Sequence, residues 1–501
     1  MTSGRATLEG LRRAALEIFY EALKSVDARE ALRRAVRLEG SDLKLFDTVY
    51  RLESHLAPIY SVAIGKAALY MATALDEILG ERLTAGIVAA PVTSAYNPYA
   101  PPSTPAPAVE LFVEEAEREG VHQPASPVIK QGEPLGFANA YGNRPPLSSR
   151  WKVFEGGHPL PNQRSLDAAR AAIDLLARAK GEGALIIFLI SGGGSAAFEW
   201  PSDGRIRLED LREANRVLVS CGATIAEINS VRRAFSSVKG GGLSGLASST
   251  MQISLIVSDT NPSEESTVAS GPTFMPPRDA PDPLDCIKRY HLEERLPAAI
   301  VRAVREASEG KRQPSAPHES AHYLLLDNRS AIEAAHNRAE ALGFAVNIAH
   351  DVVEQPVEEG CSELLSRLHA AKGAREAGFC LISGGEFSCP VRGAGSGGRN
   401  AETVLRAAMA LEERRRERSW PQPTVILSAG TDGIDGNSPA AGALADETTL
   451  ERACALGLDA RASLDESDAY SFFQALGDAI ITGPTGTNVR DLRIMLTRPQ
   501  V

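Results

Sequence analysis

Short apolar runs that end in glycine-rich turns and then give way to helical stretches constrain the fold of this chain more than any other feature. Residues 60–64 run into Gly65 and Lys66, and residues 184–190 (ALIIFLI) run into SGGGS. Strands that alternate with helices form βαβ units around a mainly parallel sheet. Near-continuous apolar runs are typical of strands buried on both faces. The sequence therefore predicts an α/β fold.

Two breaks in this rhythm predict two domains. The segment PPRDAPDP (276–283) holds too much proline and aspartate for the inside of a helix or strand, and strand-like runs resume at 323–327. Residues 91–150 lack regular patterning and are expected to be an insertion on the surface or a lid. The predicted parts are an N-terminal domain (1–284), a connecting segment (285–320) and a smaller C-terminal α/β domain (321–501).

Charge and cysteine content exclude several classes of protein. Acidic residues outnumber basic ones by 64 to 53, which argues against general nucleic-acid binding. The six cysteines form no C-x-x-C pair, as expected in a reducing compartment. No apolar run approaches the length of about 18 residues that a membrane span needs, and the N-terminus has the spacing of an amphipathic helix. We expect a cytoplasmic protein that binds neither nucleic acid nor membrane.

Glycine-rich turns follow three of the predicted strands, at the edge where parallel sheets bind ligands. They are Gly65-Lys66, the loop Ser191–Ser195 and the segment 383–400, which ends in GGRN. Backbone N–H groups in such turns form anion-binding nests. Lys66 and Arg399 both stand at a helix start, where a cation opposes the helix dipole, which favours a role in ligand binding. For the Gly65-Lys66 turn the alternative is a lysine that points into solvent, and for the loop Ser191–Ser195 it is an ordinary tight turn.

Carboxylates also gather after predicted strands. Asp259 follows LIVS, Glu386 follows LISGG, and Asp432 and Asp435 lie in AGTDGIDG. Such carboxylates suit binding of a hard metal ion or action as a general base. Asp-Gly pairs also form ordinary turns, which is the alternative for Asp435. Glycine nests, two cations and several carboxylates are together typical of phosphoryl transfer.

The blocks that carry these residues resemble the glycerate 2-kinase family, in the family's order and over nearly the whole chain. They are AIGKAA (63–68), GGHPLPN (156–162), LISGGGSA (189–196), INSVRRAFSSVKGGGLS (228–244), VSDTNPSEESTVASGPT (257–273), LISGGE (381–386), GSGGRNAE (395–402), SAGTDGIDG (428–436) and DAYSFFQALGDAIITGPTGTNVRDL (468–492). The resemblance implies a Rossmann-like N-terminal domain of the DUF4147 type, with helices on both faces of a mainly parallel sheet. It also implies a MOFRL-type C-terminal domain and an active site in the cleft between the two domains.

The resemblance further implies an activity and a set of site residues. The expected reaction is the ATP-dependent phosphorylation of the 2-hydroxyl of D-glycerate by a monomer or homodimer, with Mg²⁺ as the metal. By analogy Lys66 and Arg399 are the catalytic cations, and Asp259 orients or deprotonates the hydroxyl or binds the metal, for which Asp432 is a further candidate. The substrate- and nucleotide-binding residues implied are Gly65, Ser191, Gly192, Gly193, Gly194, Ser195, Lys239, Gly385, Glu386, Gly398, Asn400, Thr431, Asp432, Thr485 and Asn488.

Departures from the family pattern keep other functions open. Gly242 stands where many members have arginine, and residues 260–265 replace a Gly-Asp pair that many members have after the equivalent of Asp259. A kinase for a related hydroxy acid is therefore one alternative. A hydroxypyruvate reductase is a second, although residues 63–72 lack the G-x-G-x-x-G turn of dinucleotide-binding proteins. A non-catalytic ligand-binding protein on the same scaffold is a third.

Overall fold

The computed structural model describes residues 2–52, 58–91, 147–310, 319–371, 378–417, 420 and 423–498. The predicted insertion at 91–150 lies almost wholly outside these ranges. Within them, no helix combines the length and the apolar composition that a membrane crossing requires.

Two helices and a small antiparallel sheet begin the chain. They are α1 (Thr2–Ser25), α2 (Ala28–Ala35), β1 (Val36–Glu39), β2 (Asp42–Leu45) and β3 (Thr48–Arg51). The amphipathic spacing predicted for the N-terminus is confirmed, since Ile18 and Phe19 of α1 are fully buried. α2 begins after Asp27 because the Asp27 side chain accepts hydrogen bonds from the backbone N–H groups of Arg29 and Glu30.

A parallel sheet forms the centre of the N-terminal domain. Its strands are β4 (Ile59–Ile64), β5 (Leu83–Pro91), β6 (Trp151–Gly156), β7 (Leu185–Ser191), β8 (Met251–Val257) and β9 (Glu319–Leu326), in the spatial order β6-β5-β4-β7-β8-β9. All neighbouring strands in it are parallel. Every residue of β4 and β7 is buried, as their apolar runs predict.

Helices connect these strands and cover both faces of the sheet. They are α3 (Ala68–Leu79), α4 (Gln163–Glu182), α5 (Gly194–Ala197), α6 (Leu208–Val219), α7 (Ile225–Phe235), α8 (Gly242–Gly245), α9 (Pro283–Arg289) and α10 (Ala298–Ser308), with 3-10 turns at Gly80–Arg82 and Glu265–Ser270. Successive side chains of β4 point to opposite faces. Ile59 and Ala63 therefore join the core that contains α3, whereas Tyr60, Val62 and Ile64 join the core that contains α4.

A mixed sheet forms the centre of the C-terminal domain. The elements are α11 (Asn328–Ala341), β10 (Ala345–Ile348), α12 (Val357–Ala370), β11 (Phe379–Gly385), α13 (Arg399–Arg416), β12 (Thr424–Gly430), β13 (Gly442–Asp446), α14 (Thr449–Ala455), α15 (Ala460–Asp465), α16 (Ala469–Leu476), β14 (Ala479–Ile480) and β15 (Asp491–Thr497). The spatial order is β10-β11-β15-β12-β13-β14. Only β10 and β11 pair in parallel among these described strands. The predicted α/β character is confirmed, but apolar runs alone do not reveal strand direction.

The structure differs from the predicted division of the chain in two places. A C-terminal domain that begins at residue 321 would include β9, but β9 pairs along its length with β8 and so closes the N-terminal sheet. Helix α1 packs along α11 and against the C-terminal sheet, where Arg12 Nη1 lies 2.5 Å from Asp446 Oδ2. Both differences have one cause: an apolar pattern identifies a strand or helix but not its partner.

Candidate functional site

The turn after β4 places Lys66 at the edge of the N-terminal sheet. Gly65 adopts φ +106°, and a Cβ there would lie 2.2 Å from the backbone oxygen of Ser191, so only glycine fits. The backbone N–H of Lys66 donates to Gly192 O at 2.8 Å, and that of Ala67 donates to Ser191 Oγ at 3.0 Å. These bonds fasten the Lys66 turn to the glycine loop after β7.

The glycine loop, Ser191–Ser195, approaches its surroundings too closely for side chains. A Cβ on Gly192 would lie 1.8 Å from Asp259 Oδ2, and one on Gly194 would lie 2.6 Å from the Ile64 side chain. Gly193, with φ +77°, turns the chain into α5. The loop therefore brings backbone directly against the carboxylate of Asp259, as a nest at a strand end would.

The serines at the two ends of this loop are both engaged within the protein. Ser191 Oγ donates to Ile64 O at 3.1 Å and accepts from Ala67 N. Ser195 Oγ lies 2.8 Å from Ser270 Oγ. Ser191 thus holds two strand ends together, and Ser195 joins the loop to the 3-10 turn after β8.

Lys66 meets the C-terminal domain at Asp432, in the turn after β12. Lys66 Nζ donates to Asp432 Oδ2 at 2.6 Å. Burial opposes the ammonium charge, but Asp432, Asp259 and Glu386 outweigh it and raise the pKa of Lys66. The lysine is therefore a fixed cation that faces three carboxylates drawn from both domains.

Asp259 lies at the end of β8, beside this lysine. Burial raises the pKa of the Asp259 carboxyl, and the charge of Lys66 opposes that shift. Asn488 Nδ2 donates to Asp259 Oδ2 at 3.4 Å from the loop before β15. The predicted residues Lys66, Asp259, Asp432 and Asn488 are thus brought together.

Arg399 begins α13 and is held by two carboxylates. Its Nε lies 2.5 Å from Asp491 Oδ2, and its Nη2 lies 2.9 Å from Glu386 Oε1. Burial raises the pKa of Glu386 to about 7, against the influence of Arg399. Asp491 is fully buried, and although burial favours its neutral form, Arg399 lowers its pKa. Sequence reasoning named Arg399 and Glu386 but missed Asp491, whose one signal is an acidic residue at the start of a buried strand.

Asp435 explains why the chain turns into a helix at Arg399. Its carboxylate accepts hydrogen bonds from the backbone N–H groups of Asn400 at 2.9 Å and Ala401 at 2.8 Å, in the first turn of α13. A Cβ on Gly398 would lie 2.4 Å from Asp435 Oδ1, so glycine is required there. Asn400 is 1% exposed, and its Oδ1 accepts from Ser428 Oγ at 2.6 Å. The predicted binding residues Gly398 and Asn400 therefore position Arg399 from the interior.

Thr431, Thr485 and Gly385 also act within the C-terminal domain. Thr485 Oγ1 donates to Thr431 O at 2.6 Å, and Thr431 Oγ1 accepts from Val489 N at 2.9 Å. Gly385 N donates to Asn328 Oδ1 at 3.0 Å. These bonds fasten the loop before β15 and the end of β11, so they shape the site through its backbone.

Lys239 is not brought to the site. It forms a buried ion pair with Glu199, and the two side chains are 2% and 1% exposed. Glu199 Oε1 also accepts from Ser236 Oγ at 2.5 Å, and burial lowers the pKa of Lys239. That Lys239 binds substrate or nucleotide stays a prediction, but in this structure its charge is neutralised by Glu199 inside the N-terminal domain.

Residues 260–265, which follow Asp259 and differ from the family pattern, contact the C-terminal domain. Asn261 Nδ2 donates to Glu354 Oε1 at 2.9 Å, and Arg490 bonds to both Asn261 and Glu354. Residues 260–265 thus help to join the two domains beside the site.

The metal-binding prediction rests on Asp259 and Asp432. The described ranges hold no group of three or more histidine, cysteine or acidic side chains arranged to bind a metal ion. Mg²⁺ commonly takes only one or two protein carboxylates and completes its shell with phosphate and water oxygens. Two carboxylates that face the same lysine fit that pattern.

Comparison with known proteins extends this description. Residues 14–305 match the family described as a domain of unknown function, DUF4147, and residues 379–491 match the MOFRL family. A glycerate kinase of Rattus norvegicus is 31% identical over 100% of this chain and 95% of its own length. A D-glycerate 2-kinase of Thermotoga maritima is 29% identical over 95% of this chain and 99% of its own. A protein of Agrobacterium vitis, provisionally named hydroxypyruvate reductase, is 36% identical over 71% of this chain and 79% of its own.

A solved structure agrees with these matches. The crystal structure of a glycerate kinase from Thermotoga maritima matches the fold with a TM-score of 0.71 at 27% identity, over 98% of this chain and 100% of that one. Fold and sequence together define a phosphotransferase built from two α/β domains. The match to the rat enzyme over the whole chain is more specific, and the chain belongs to the glycerate kinase family.

Proposed function

We propose that the protein transfers the γ-phosphoryl group of ATP to the 2-hydroxyl of D-glycerate, giving ADP and 2-phosphoglycerate. The observation that carries this proposal is the assembly of Lys66, Asp259, Asp432 and Arg399 at one place from both domains. Glu386 links the two cations, because it pairs with Arg399 and acts electrostatically on Lys66. Family membership supplies the reaction class and the acceptor.

Phosphoryl transfer needs fixed positive charge and a proton acceptor more than it needs a nucleophilic residue. Lys66 is held charged at the end of β4 and would stabilise the charge on the moving phosphoryl group, with the N–H groups of the glycine loop. Arg399, fixed by Asp491, would bind a second anionic group of the substrates.

Asp259 is the residue that we assign to the acceptor hydroxyl. Its raised pKa makes it a stronger base than an exposed aspartate. In the step proposed, the proton of the 2-hydroxyl passes to Asp259 while the 2-hydroxyl oxygen forms a bond to the γ-phosphorus. The bond from that phosphorus to the bridging oxygen breaks, and ADP leaves with the electron pair.

Asp432 would hold Mg²⁺ together with phosphate oxygens, and when bound the ion neutralises charge on the β- and γ-phosphates. Asp259 would be the second ligand in the alternative in which it is not the base. The two roles differ in a measurable way. Asp259→Asn strongly lowers turnover but leaves Mg²⁺ affinity unchanged if Asp259 is the base, and lowers both turnover and Mg²⁺ affinity if it is a ligand.

A coupled assay of ADP release with ATP, Mg²⁺ and D-glycerate tests the function, with the position of the phosphate read by phosphorus NMR. We expect ADP release that depends on glycerate and phosphate on the 2-oxygen. Turnover with another hydroxy acid alone would move the substrate but keep the chemistry. The absence of turnover with every acceptor would favour a binding protein.

A hydroxypyruvate reductase is the function suggested by the name of the Agrobacterium vitis relative. Dinucleotide-binding turns need glycines that allow the pyrophosphate to approach the backbone. Here Gly65 is followed by Lys66, Ala67 and Ala68, and the space beside Gly65 is filled by Ser191. We therefore expect no oxidation of NADH or NADPH in the presence of hydroxypyruvate.

The cellular setting is part of the same proposal. All six cysteines are free, and five of them are not exposed: Cys286, Cys361 and Cys380 are buried, and Cys221 and Cys389 are half-buried. This supports a reducing compartment such as the cytoplasm. The oligomeric state, monomer or homodimer, stays a prediction that light scattering of the purified protein would test.

A further inference from the structure

A small cavity lies beside the glycine loop and is not used by the mechanism above. We call it the Arg233 cavity, and its walls include Asn229 and Arg233 of α7, Gly240, Ser270, Phe274 and Met275. It holds ≈ 80 Å³. Since about 10–15 Å³ of such space holds one water molecule, the cavity has room for a small organic acid but not for a nucleotide.

Arg233 differs from Lys66 and Arg399 in its ionic partners. Lys66 pairs with Asp432, and Arg399 pairs with Asp491 and Glu386. Over the part of the chain that the structure describes, no carboxylate forms an ion pair with Arg233. Arg233 is half-buried, and this burial lowers the pKa of its guanidinium.

The backbone around the cavity is shaped to admit this arginine. Gly240 adopts φ +56°, and a Cβ there would lie 2.4 Å from Arg233 Cδ. The aliphatic part of the side chain therefore lies against bare backbone, where other residues would displace it. A partly buried cation without a counter-ion is costly unless an anion binds it.

Hydrogen bonds connect the cavity with the glycine loop. Ser270, in the cavity wall, donates to Asn229 Oδ1 at 3.1 Å and lies 2.8 Å from Ser195 Oγ. Ser195 closes the loop that approaches Asp259. A ligand in the cavity would thus be linked to the glycine loop through Ser270 and Ser195.

We propose that the Arg233 cavity binds the carboxylate of the acceptor acid, with Arg233 as its counter-ion and with Asn229 Nδ2, oriented by the hydrogen bond from Ser270 to Asn229 Oδ1, as a hydrogen-bond donor. The assignment of this anion to the acceptor rests on the proposed function. The size of the cavity favours a short acid over ATP. Lys66 and Arg399 are already paired with carboxylates, whereas no carboxylate of the described residues forms an ion pair with Arg233 in this cavity wall.

Binding of D-glycerate alone, measured by calorimetry, and steady-state kinetics test the proposal. For Arg233→Gln we expect the Kd and KM for D-glycerate to rise about 10- to 100-fold, the range for losing a hydrogen bond to a charged group. KM for ATP should change less than about 2-fold, since uniform binding of the acid alone is removed. Arg289→Gln, which removes an exposed arginine paired with Glu227 at the start of α7, is the matched control.

A second variant changes charge with almost no change in shape. Asn229 and Arg233 are four residues apart on α7, so Asn229→Asp would place a carboxylate beside the guanidinium as an internal counter-ion. We expect KM for D-glycerate to rise as in Arg233→Gln, with thermal stability at least equal to that of the wild type because the guanidinium gains a counter-ion. This variant decides the question if Arg233→Gln does not fold.

The outcomes separate this proposal from the proposed function. If the wild type binds D-glycerate but does not phosphorylate it, and Arg233→Gln abolishes binding, the kinase assignment fails and the cavity assignment stands. If the wild type is an active kinase and both variants keep the wild-type Kd and KM for D-glycerate, the cavity assignment is wrong and the kinase assignment stands.

Discussion

Replacement of Lys66 by methionine separates its role in catalysis from its role in stability. The methionine side chain has nearly the same length but no charge, so Asp432 loses the ammonium group that lies 2.6 Å from its Oδ2. At an effective dielectric constant of about 20 the gross attraction at that distance is about 6 kcal/mol. Desolvation of the two ions offsets most of this, and Asp432 can regain water because it is 15% exposed.

We therefore expect Lys66→Met to lower the free energy of unfolding by about 1–3 kcal/mol. A domain of ordinary stability, about 5–15 kcal/mol, remains almost fully folded after such a loss. The loss of electrostatic stabilisation in the transition state should in contrast reduce kcat/KM by at least about 100-fold. Activity must therefore fall far more than the folded population does.

The same variant should also move the pH profile. Lys66 opposes the upward shift that burial causes in the pKa of Asp259. Without the lysine the pKa of Asp259 rises further, so the acidic limb of kcat/KM should move to higher pH. A shift of this acidic limb to higher pH is therefore the expected result of removing the cation beside Asp259.

Glycerate-dependent ADP release from pH 5 to 9, with urea unfolding in parallel, measures both effects. Lys44→Met, at an exposed lysine paired with Glu39, is the matched control and should match the wild type. If Lys66→Met kept kcat/KM within about 5-fold of the wild type while folded, the electrostatic role of Lys66 would be refuted, because removal of one such donor typically costs about 100-fold or more.

Three further changes test other parts of the structure. Lys239→Met leaves Glu199 charged and buried, so unfolding should become easier by about 3–5 kcal/mol with KM for both substrates unchanged; a raised KM in a stable variant would instead return Lys239 to the binding site. Burial raises the pKa of Asp435 to about 7, so the folded state holds a proton that the unfolded state releases near pH 4. The free energy of unfolding should therefore fall as pH rises from about 4 to 7, by up to about 4 kcal/mol, and urea titrations of Asp435→Asn should show a flatter slope than the wild type. Asp259→Asn should lower kcat by about 100- to 10,000-fold with KM for ATP nearly unchanged, and a normal kcat would exclude Asp259 as the base.

The sequence predicts the centre of the fold because that part depends on local pattern. The runs of β4 and β7 are apolar at nearly every position, which identifies central strands of a parallel sheet, and both strands are buried throughout. The strand that pairs with β9 could not be predicted in this way. Its residues fit either sheet, and only the three-dimensional path through α9 and α10 returns it to β8. Pairing is a property of two distant segments, which one segment cannot reveal.

The same distinction applies to the site. Lys66 and Arg399 could be predicted because each is a cation at a glycine-rich helix start, a conflict with the dipole that is visible locally. Lys239 carried no such conflict, and its partner Glu199 lies 40 residues earlier in the chain. Asp491 could not be predicted for a related reason. Its role is visible only in the structure, where it pairs with Arg399.

The two domains each leave the site incomplete, which makes their contact part of the chemistry. The N-terminal sheet supplies Lys66 and Asp259, whereas Asp432 and Arg399 come from the C-terminal domain. At the site the domains are joined by ionic and polar contacts, as in Lys66 to Asp432 and Asn488 to Asp259, whereas away from the site α1 joins them through an apolar core. Polar contacts of this kind exchange readily for contacts with anionic ligands or water, unlike a continuous apolar core. An anionic substrate that binds Lys66 therefore competes with Asp432 and changes the domain contact at the same time.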